Sequence, residues 1–239
     1  MPITFLASTS ARVGAAASTW SIAITFALTG GETIIVGVGP ASSVVSVSTM
    51  TDNTTNVYRL AVRAPRTIGT SAGAELWYAT GISSASTRIS ITNSATSSGS
   101  LAVGHWTNVS TANAVLQTGS SETSVASTVH AVGQLTPSEN NALVVMFSQV
   151  APSTTIAPVA FDGGMSVWAT TNAARAAVGS YIIQVGASTV TGQWRTNAGV
   201  STGAVQSAQV LAAFSDTGTA PAGGGVAVPC CSFLLQGVG

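Results

Sequence analysis

Lysine is absent from this 239-residue chain, and charge of either sign is scarce: seven arginines face three aspartates and four glutamates, for a net charge of zero. Charged residues make up 6% of the sequence, against about 25% in an average soluble domain. Seven scattered arginines balanced by seven acids give no basic footprint for displacing counterions, so nucleic acid is excluded as a partner. The Ala/Glu/Lys/Leu/Arg heptads of a coiled coil are missing. Disorder of the usual kind needs low hydrophobicity and high net charge, and 46% apolar residues at zero net charge is the opposite. Serine and threonine fill the gap, with 64 residues together, and glycine adds 25.

Cysteine is equally sparse. Cys230 and Cys231 are adjacent, a geometry that strains a mutual bridge. No disulfide framework and no zinc spacing follows from them. They read as two small apolar residues of a buried terminal strand, with an intermolecular disulfide as the other reading. Long apolar runs are missing too. Residues 13–31 are uncharged, but Trp20, Ile22, Ile24, Phe26 and Leu28 alternate with Ser21, Ala23, Thr25 and Ala27. That is the period of a strand with one buried face, not of a spanning helix. It also lacks the basic start and undiluted apolar core of a signal peptide. Residues 217–239 hold only a short apolar core. The expectation is a protein with no membrane partner, made without an export signal.

What is present is period two. Alternating or β-branched segments fall at 33–38, 44–48, 57–62, 76–78, 88–92, 101–103, 143–147, 165–169, 181–185, 190–194 and 208–214. With the segment at 20–28, that makes about twelve short strands parted by Gly, Pro, Asn and Ser, the spacing of an antiparallel sandwich or barrel. Helical periodicity is poor: residues 171–178 could hold a turn or two, and 111–117 is ambiguous. No linker precedes residue 217, so 1–217 reads as one β-sandwich domain. The remainder, 218–239, runs through two prolines and three consecutive glycines into an apolar peptide. It reads as a flexibly tethered arm that adds a strand to a neighbour or to its own sheet. The assembly contacts expected of it are Val226, Val228, Phe233, Leu234 and Leu235.

A sandwich usually turns alternate side chains to solvent, and here those positions are Ser, Thr, Ala and Gln. Edge lysines that discourage strand-to-strand association are absent, as is the charged surface that keeps a free protein soluble. Two explanations suit this surface: burial against other subunits, and hydroxyl-rich hydration. Both point to a particle component. Contacts of this kind should scarcely weaken as salt rises, because screening acts on charges.

Candidate chemistry is thin. His105 and His130 read as partly buried strand residues without a positioned partner. No G-x-S-x-G elbow occurs, and nothing pairs two of Glu32, Asp52, Glu75, Glu122, Glu139, Asp162 and Asp216 across a cleft. No catalytic residue, cofactor or metal ligand is assigned. Asp52-Asn53-Thr54-Thr55-Asn56 is oxygen-rich enough for Ca²⁺ but reads first as an Asx turn, and Asp162-Gly163-Gly164 as a hairpin turn. Arg59, Arg63, Arg66 and Arg88 are expected to cluster if 58–63 and 88–92 are neighbours, pairing with Glu75 or capping carbonyls. Trp20, Trp77, Trp106, Trp168 and Trp194 read as core anchors rather than a sugar platform.

Asp52 to Tyr58 resembles the D-x-x-G-N-x-Y segment of a loose group of phage and bacterial β-sandwich proteins, with Thr55 in place of Gly. Leu76-Trp77-Tyr78-Ala79 resembles the aromatic strand that follows it, Arg88-Ile89-Ser90-Ile91-Thr92 the next strand, and Trp194 with Ala213-Phe214 a late W…AF pattern. The resemblance spans residues 19–215. It implies a jelly-roll-like sandwich of a virion surface, such as a capsid decoration (cement) or tail-associated protein. The expected function is thus a structural phage protein on the outside of the particle. Its partners would be itself, as a trimer, and a major capsid or other virion protein. A tail or fibre subunit, or a carbohydrate-binding or adhesin module, is the alternative.

Overall fold

The structure, a computed structural model, describes residues 2–65, 72–150, 158–161, 164–170, 177–196 and 205–217. Among these residues there is no α-helix, and every strand pairing is antiparallel. The antiparallel sandwich that alternation predicts is what the chain builds. In chain order the strands are β1 (Thr4–Ala23), β2 (Thr33–Pro40), β3 (Val47–Asp52), β4 (Arg59–Arg63), β5 (Glu75–Thr80), β6 (Arg88–Thr107), β7 (Val115–Ser127), β8 (Val129–Leu135), β9 (Leu143–Val150), β10 (Pro158–Phe161), β11 (Ser166–Thr170), β12 (Ala177–Ile183), β13 (Val190–Thr196) and β14 (Val205–Phe214).

The chain completes the first sheet with β1 to β6 and then passes back and forth between the other two. The first sheet runs β1-β6-β2-β5-β4, with β3 also on β6. The second runs β11-β12-β9-β14-β7, and a third, small one runs β10-β13-β8. The first and second sheets pack face to face. Ile35, Leu76, Ala102 and Trp106 of one meet Leu143, Val145, Phe147, Val210 and Phe214 of the other. The third sheet closes the far side of the second through Val132, Val190 and Trp194 against Val144, Met146 and Leu211.

The outer face of the first sheet is covered by its own strands. β1 and β6 are each 20 residues long, and their register shifts between Val13 and Thr19. Such bulges bend a strand pair sharply. Past the bend Trp20, Ile22, Ile89 and Ile91, with Val47 and Met50 of β3, pack over Ile34, Val36, Val38, Leu101 and Val103. β6 thus supplies both sides of one apolar cluster. The Trp20 indole fixes the bend by donating to Ala17 O (3.0 Å) and Ser97 O (3.1 Å).

The result is four layers, and the middle strands have no solvent face. β2 and β9 are buried at all eight positions. Antiparallel strands usually keep one wet face and alternate. These do not, and they read instead as near-continuous apolar runs (TIIVGVGP, LVVMFSQV). Part of the shortage of charge follows directly: Ser148, Ser180, Ser207 and Gln209 lie inside the stack, on positions that a two-layer sandwich would turn to water.

Three local expectations are corrected. The strand expected at 20–28 begins at Thr4 and ends at Ala23, leaving Phe26 and Leu28 on a loop that packs on the outer cluster. Its first half has small, half-exposed side chains, so no apolar alternation announces it. Residues 115–135, where no alternating segment is expected, hold β7 and β8, and the hydroxyl side chains of β7 take edge and partly exposed positions. Residues 58–63 and 88–92 are not neighbours: β4 pairs β5, while 88–92 lies between β1 and β3. Of the turn or two considered for 171–178, residues 171–176 lie outside the described residues, and Ala177 and Val178 begin β12.

Close packing of the two large sheets depends on glycine. A Cβ on Gly37 of β2 would run into the ring of Phe147 on β9. Phe147 is fully buried and has no room to yield. Gly37→Ala is therefore expected to cost about 1–3 kcal/mol through overpacking, read as a lower denaturant midpoint at unchanged slope. A midpoint equal to wild type would mean that the sheets are less tightly held than described.

Candidate functional site

The polar residues that sequence reasoning singled out form four separate clusters, each largely closed on itself. The first is the Asp52 turn. Asp52 Oδ1 accepts from Thr54 N (2.8 Å) and Thr54 Oγ1 (2.7 Å), and Oδ2 accepts from Asn56 Nδ2 (2.6 Å), Ser86 Oγ (2.8 Å) and Tyr58 OH (3.1 Å). Burial pushes its pKa up, but the hydrogen bonds from Thr54, Asn56 and Ser86 together outweigh this and hold it below the ordinary carboxylate value. Tyr58 is shifted upward by burial and then by the Asp52 charge. Asn53 Oδ1 accepts from Thr87 N and Arg88 N, and Asn56 Oδ1 from Ser83 N. The motif residues Asp52, Asn56 and Tyr58 are thus a single knot that ties β3 to the 83–88 turn. Five donors occupy the carboxylate that Ca²⁺ would need.

The second cluster surrounds Glu75, which is 1% exposed. Its carboxylate accepts from Arg63 Nε (2.8 Å), Arg63 Nη2 (3.1 Å), Trp77 Nε1 (2.7 Å) and Val47 N (3.1 Å). Arg63 Nη2 also donates to Val47 O (3.0 Å). The pairing expected for the arginines is made by Arg63, which performs the carbonyl-capping role as well. Arg66 lies outside the described residues.

The third is Glu32 with His105, both nearly without exposure. Glu32 accepts from Thr29 N and Gly30 N and from the Thr29 hydroxyl, and so caps the left-handed Gly30-Gly31 turn. Burial raises its pKa, but the Thr29 and Gly30 donors and the nearby His105 bring it below normal. His105 Nε2 lies 3.3 Å from Glu32 Oε2, and Phe26 stacks on the ring at 5.2 Å.

The fourth was not legible in the sequence. His130 of β8, fully buried, places Nδ1 2.5 Å from Ser207 Oγ of β14 and stacks on Trp194 of β13 at 4.3 Å. Gln209 Nε2 donates to the same Ser207 oxygen. The Ser207 hydroxyl can donate to Nδ1 or accept from it, so the contact holds in either tautomer. Burial pushes the His130 pKa down to about 4. A serine beside an imidazole suggests a nucleophile and base, but this pair is sealed between two sheets, and its third member is an amide.

All five tryptophans are core residues, at 9% exposure or less. Among the described residues no group of three His, Cys, Asp or Glu side chains gathers as a metal site. No helix among them is long and apolar enough to cross a membrane. Val226, Val228, Phe233, Leu234, Leu235, Cys230 and Cys231 lie outside the described residues, as do Asp162 and Gly163.

Two surface features remain. One is the seam where the outer edge of β1 meets that of β11. Ser10 Oγ donates to Thr170 O (2.9 Å), and a groove of about 270 Å³ runs between residues 8–10 and 167–170. The other is a pocket of about 320 Å³ beside the Asp52 turn, at the ends of β4 and β5. No protein-family model, curated protein or solved structure matches the chain.

Proposed function

We propose that this chain is a structural subunit of a bacteriophage particle, a decoration or cement protein that binds the assembled shell and stabilises it. The observation that carries the reading is β1. It is a 20-residue strand at the edge of its sheet, and Arg12 is its single ionisable side chain. Natural proteins shorten, charge or cover such edges, because unpaired backbone groups recruit further strands. Here the edge is long and carries that one charge, and apart from the short abutment with β11 no strand covers it among the described residues. A subunit that binds the closed lattice and not the free coat protein adds its binding free energy to the lattice. Residues 218–239 are the proposed clamp. Thr217 N donates to Asn108 O, and Asn108 Nδ2 to Pro2 O, so the clamp departs beside the start of β1.

A tail or fibre subunit would use the same edge and is the second reading. The adhesin reading, in its tryptophan-platform form, has no support from the five buried indoles.

The test is self-association by sedimentation. Wild type is expected to form a closed oligomer, a trimer in the simplest case, that persists as salt rises by about tenfold, well past the screening range. Leu6→Lys with Ala15→Lys, both on exposed β1 positions, is expected to yield monomer. A wild-type chain that stays monomeric, or an oligomer that dissociates with salt, would refute the edge as the contact. Deleting 218–239 should lower shell occupancy; unchanged occupancy removes the arm from the mechanism.

A further inference from the structure

The pocket beside the Asp52 turn differs from every polar cluster described above. Its lining includes Thr55, Arg59, Tyr78, Thr80 and Thr111. None of these five side chains makes a hydrogen bond or ion pair with another described residue. A few ångströms away, Asp52, Asn53 and Asn56 have their side-chain hydrogen bonds filled within the turn. The contrast places five unengaged polar groups around one concavity whose wall is already rigid. Asn56, held between Asp52 and Ser83, forms part of that wall, and Gly81 at φ +63° turns the chain beneath it.

We infer that this pocket binds a single acidic sugar residue, with Arg59 taking the carboxylate. Arg59 is the one charged side chain of the lining, and the Asp52 carboxylate behind Asn56 is turned onto its own five donors, so the charge a ligand meets inside the pocket is the guanidinium. A guanidinium presents two parallel N–H donors, which match a carboxylate. The hydroxyls of Thr55, Thr80, Thr111 and Tyr78 donate and accept alike, which suits the vicinal hydroxyls of a pyranose. A phosphate dianion is best matched by more than one cation, and the lining holds one. Tyr78, which packs edge-on to Phe214 at 5.6 Å, is the one aromatic residue of the lining. The volume lies at the small end of the range for small-molecule sites, about 300–1,000 Å³. It therefore admits one ring.

The experiment is titration of the full chain, followed by NMR or calorimetry, with D-glucuronate, D-glucose and acetate as probes. Glucuronate is expected to saturate the pocket with a dissociation constant of about 1 mM or below, and glucose and acetate to bind at least about tenfold more weakly. Arg59→Gln should weaken glucuronate by about tenfold or more, and Arg59→Lys by less, since it keeps the charge and loses the fork. Arg59 is exposed, so an unchanged melting temperature is the check that the variants fold. Absence of saturation by glucuronate, equal binding by Arg59→Gln, or acetate as tight as glucuronate would each overturn the inference. The pocket is remote from β1 in the strand order, so these results and the sedimentation test fail independently.

Discussion

Glu75→Gln is expected to destabilise the protein by about 3–5 kcal/mol, the usual cost of removing one partner of a buried ion pair. The carboxylate is nearly inaccessible and receives four hydrogen bonds from three strands: Val47 N of β3, Arg63 of β4 and Trp77 of β5. An amide at this position supplies one oxygen in place of two. Its NH₂ group then faces two donors, the guanidinium together with either Val47 N or the indole, and the Arg63 charge is left without its counterion. The loss should appear as a lower denaturant midpoint. With the thermal slope of a domain this size, the melting temperature should fall by roughly 6–20 °C. A fall corresponding to less than about 1 kcal/mol would mean that water reaches the cluster and screens it like a surface pair.

The second large effect is acid lability centred on His130. Its folded pKa is about 4, against about 6.5 for an unfolded histidine. At neutral pH the ring is uncharged in both states and nothing is lost. Below pH 6.5 the unfolded chain takes up the proton and the folded chain does not, so stability falls with pH at up to about 1.4 kcal/mol per unit. The accumulated loss reaches about 3 kcal/mol near pH 4 and then levels off. Asp52 and Glu32 act in a different window. Their folded pKa values are lowered, so the stability they contribute is intact above the unfolded carboxylate range and is lost as pH drops below it. His130→Phe retains a ring against Trp194, and Ser207 keeps its bond from Gln209. Between pH 6.5 and 4.5 the variant's denaturant midpoint should be flat where that of wild type declines. Parallel declines would show that another group carries the acid response.

How far the sequence discloses this molecule depends on the size of the alternating side chains. Thr33–Val38, Leu143–Phe147 and Ala208–Phe214 are visible because their buried residues are bulky. Residues 4–18 form three-quarters of β1 and leave no trace, because Ala, Ser, Thr and Gly, which dominate them, pack as well on an edge as in a turn. The assumption of one wet face per strand fails at β2 and β9, because layering is a property of the whole chain and no local window contains it. Asp52–Tyr58 was legible as a turn, since its bonds are short in sequence, and the tryptophans as core. His130 with Ser207, 77 residues apart, and Arg59 with Tyr78 come together through strand register alone, and the sequence carries no mark of it.

The separation of the strands along the chain also bears on synthesis. Residues 4–107 contain every strand of the first sheet and its outer cover, so that half can pair as soon as β6 leaves the ribosome. Its inward side, with Ile35, Leu76 and Trp106, has no partner until β9 and β14 emerge; β6 ends at Thr107 and the first of these begins at Leu143. At about 5–20 residues per second that interval lasts seconds. During it the nascent chain presents a broad apolar sheet to solvent, and a ribosome paused between Thr107 and Leu143 would prolong the exposure that chaperones exist to cover.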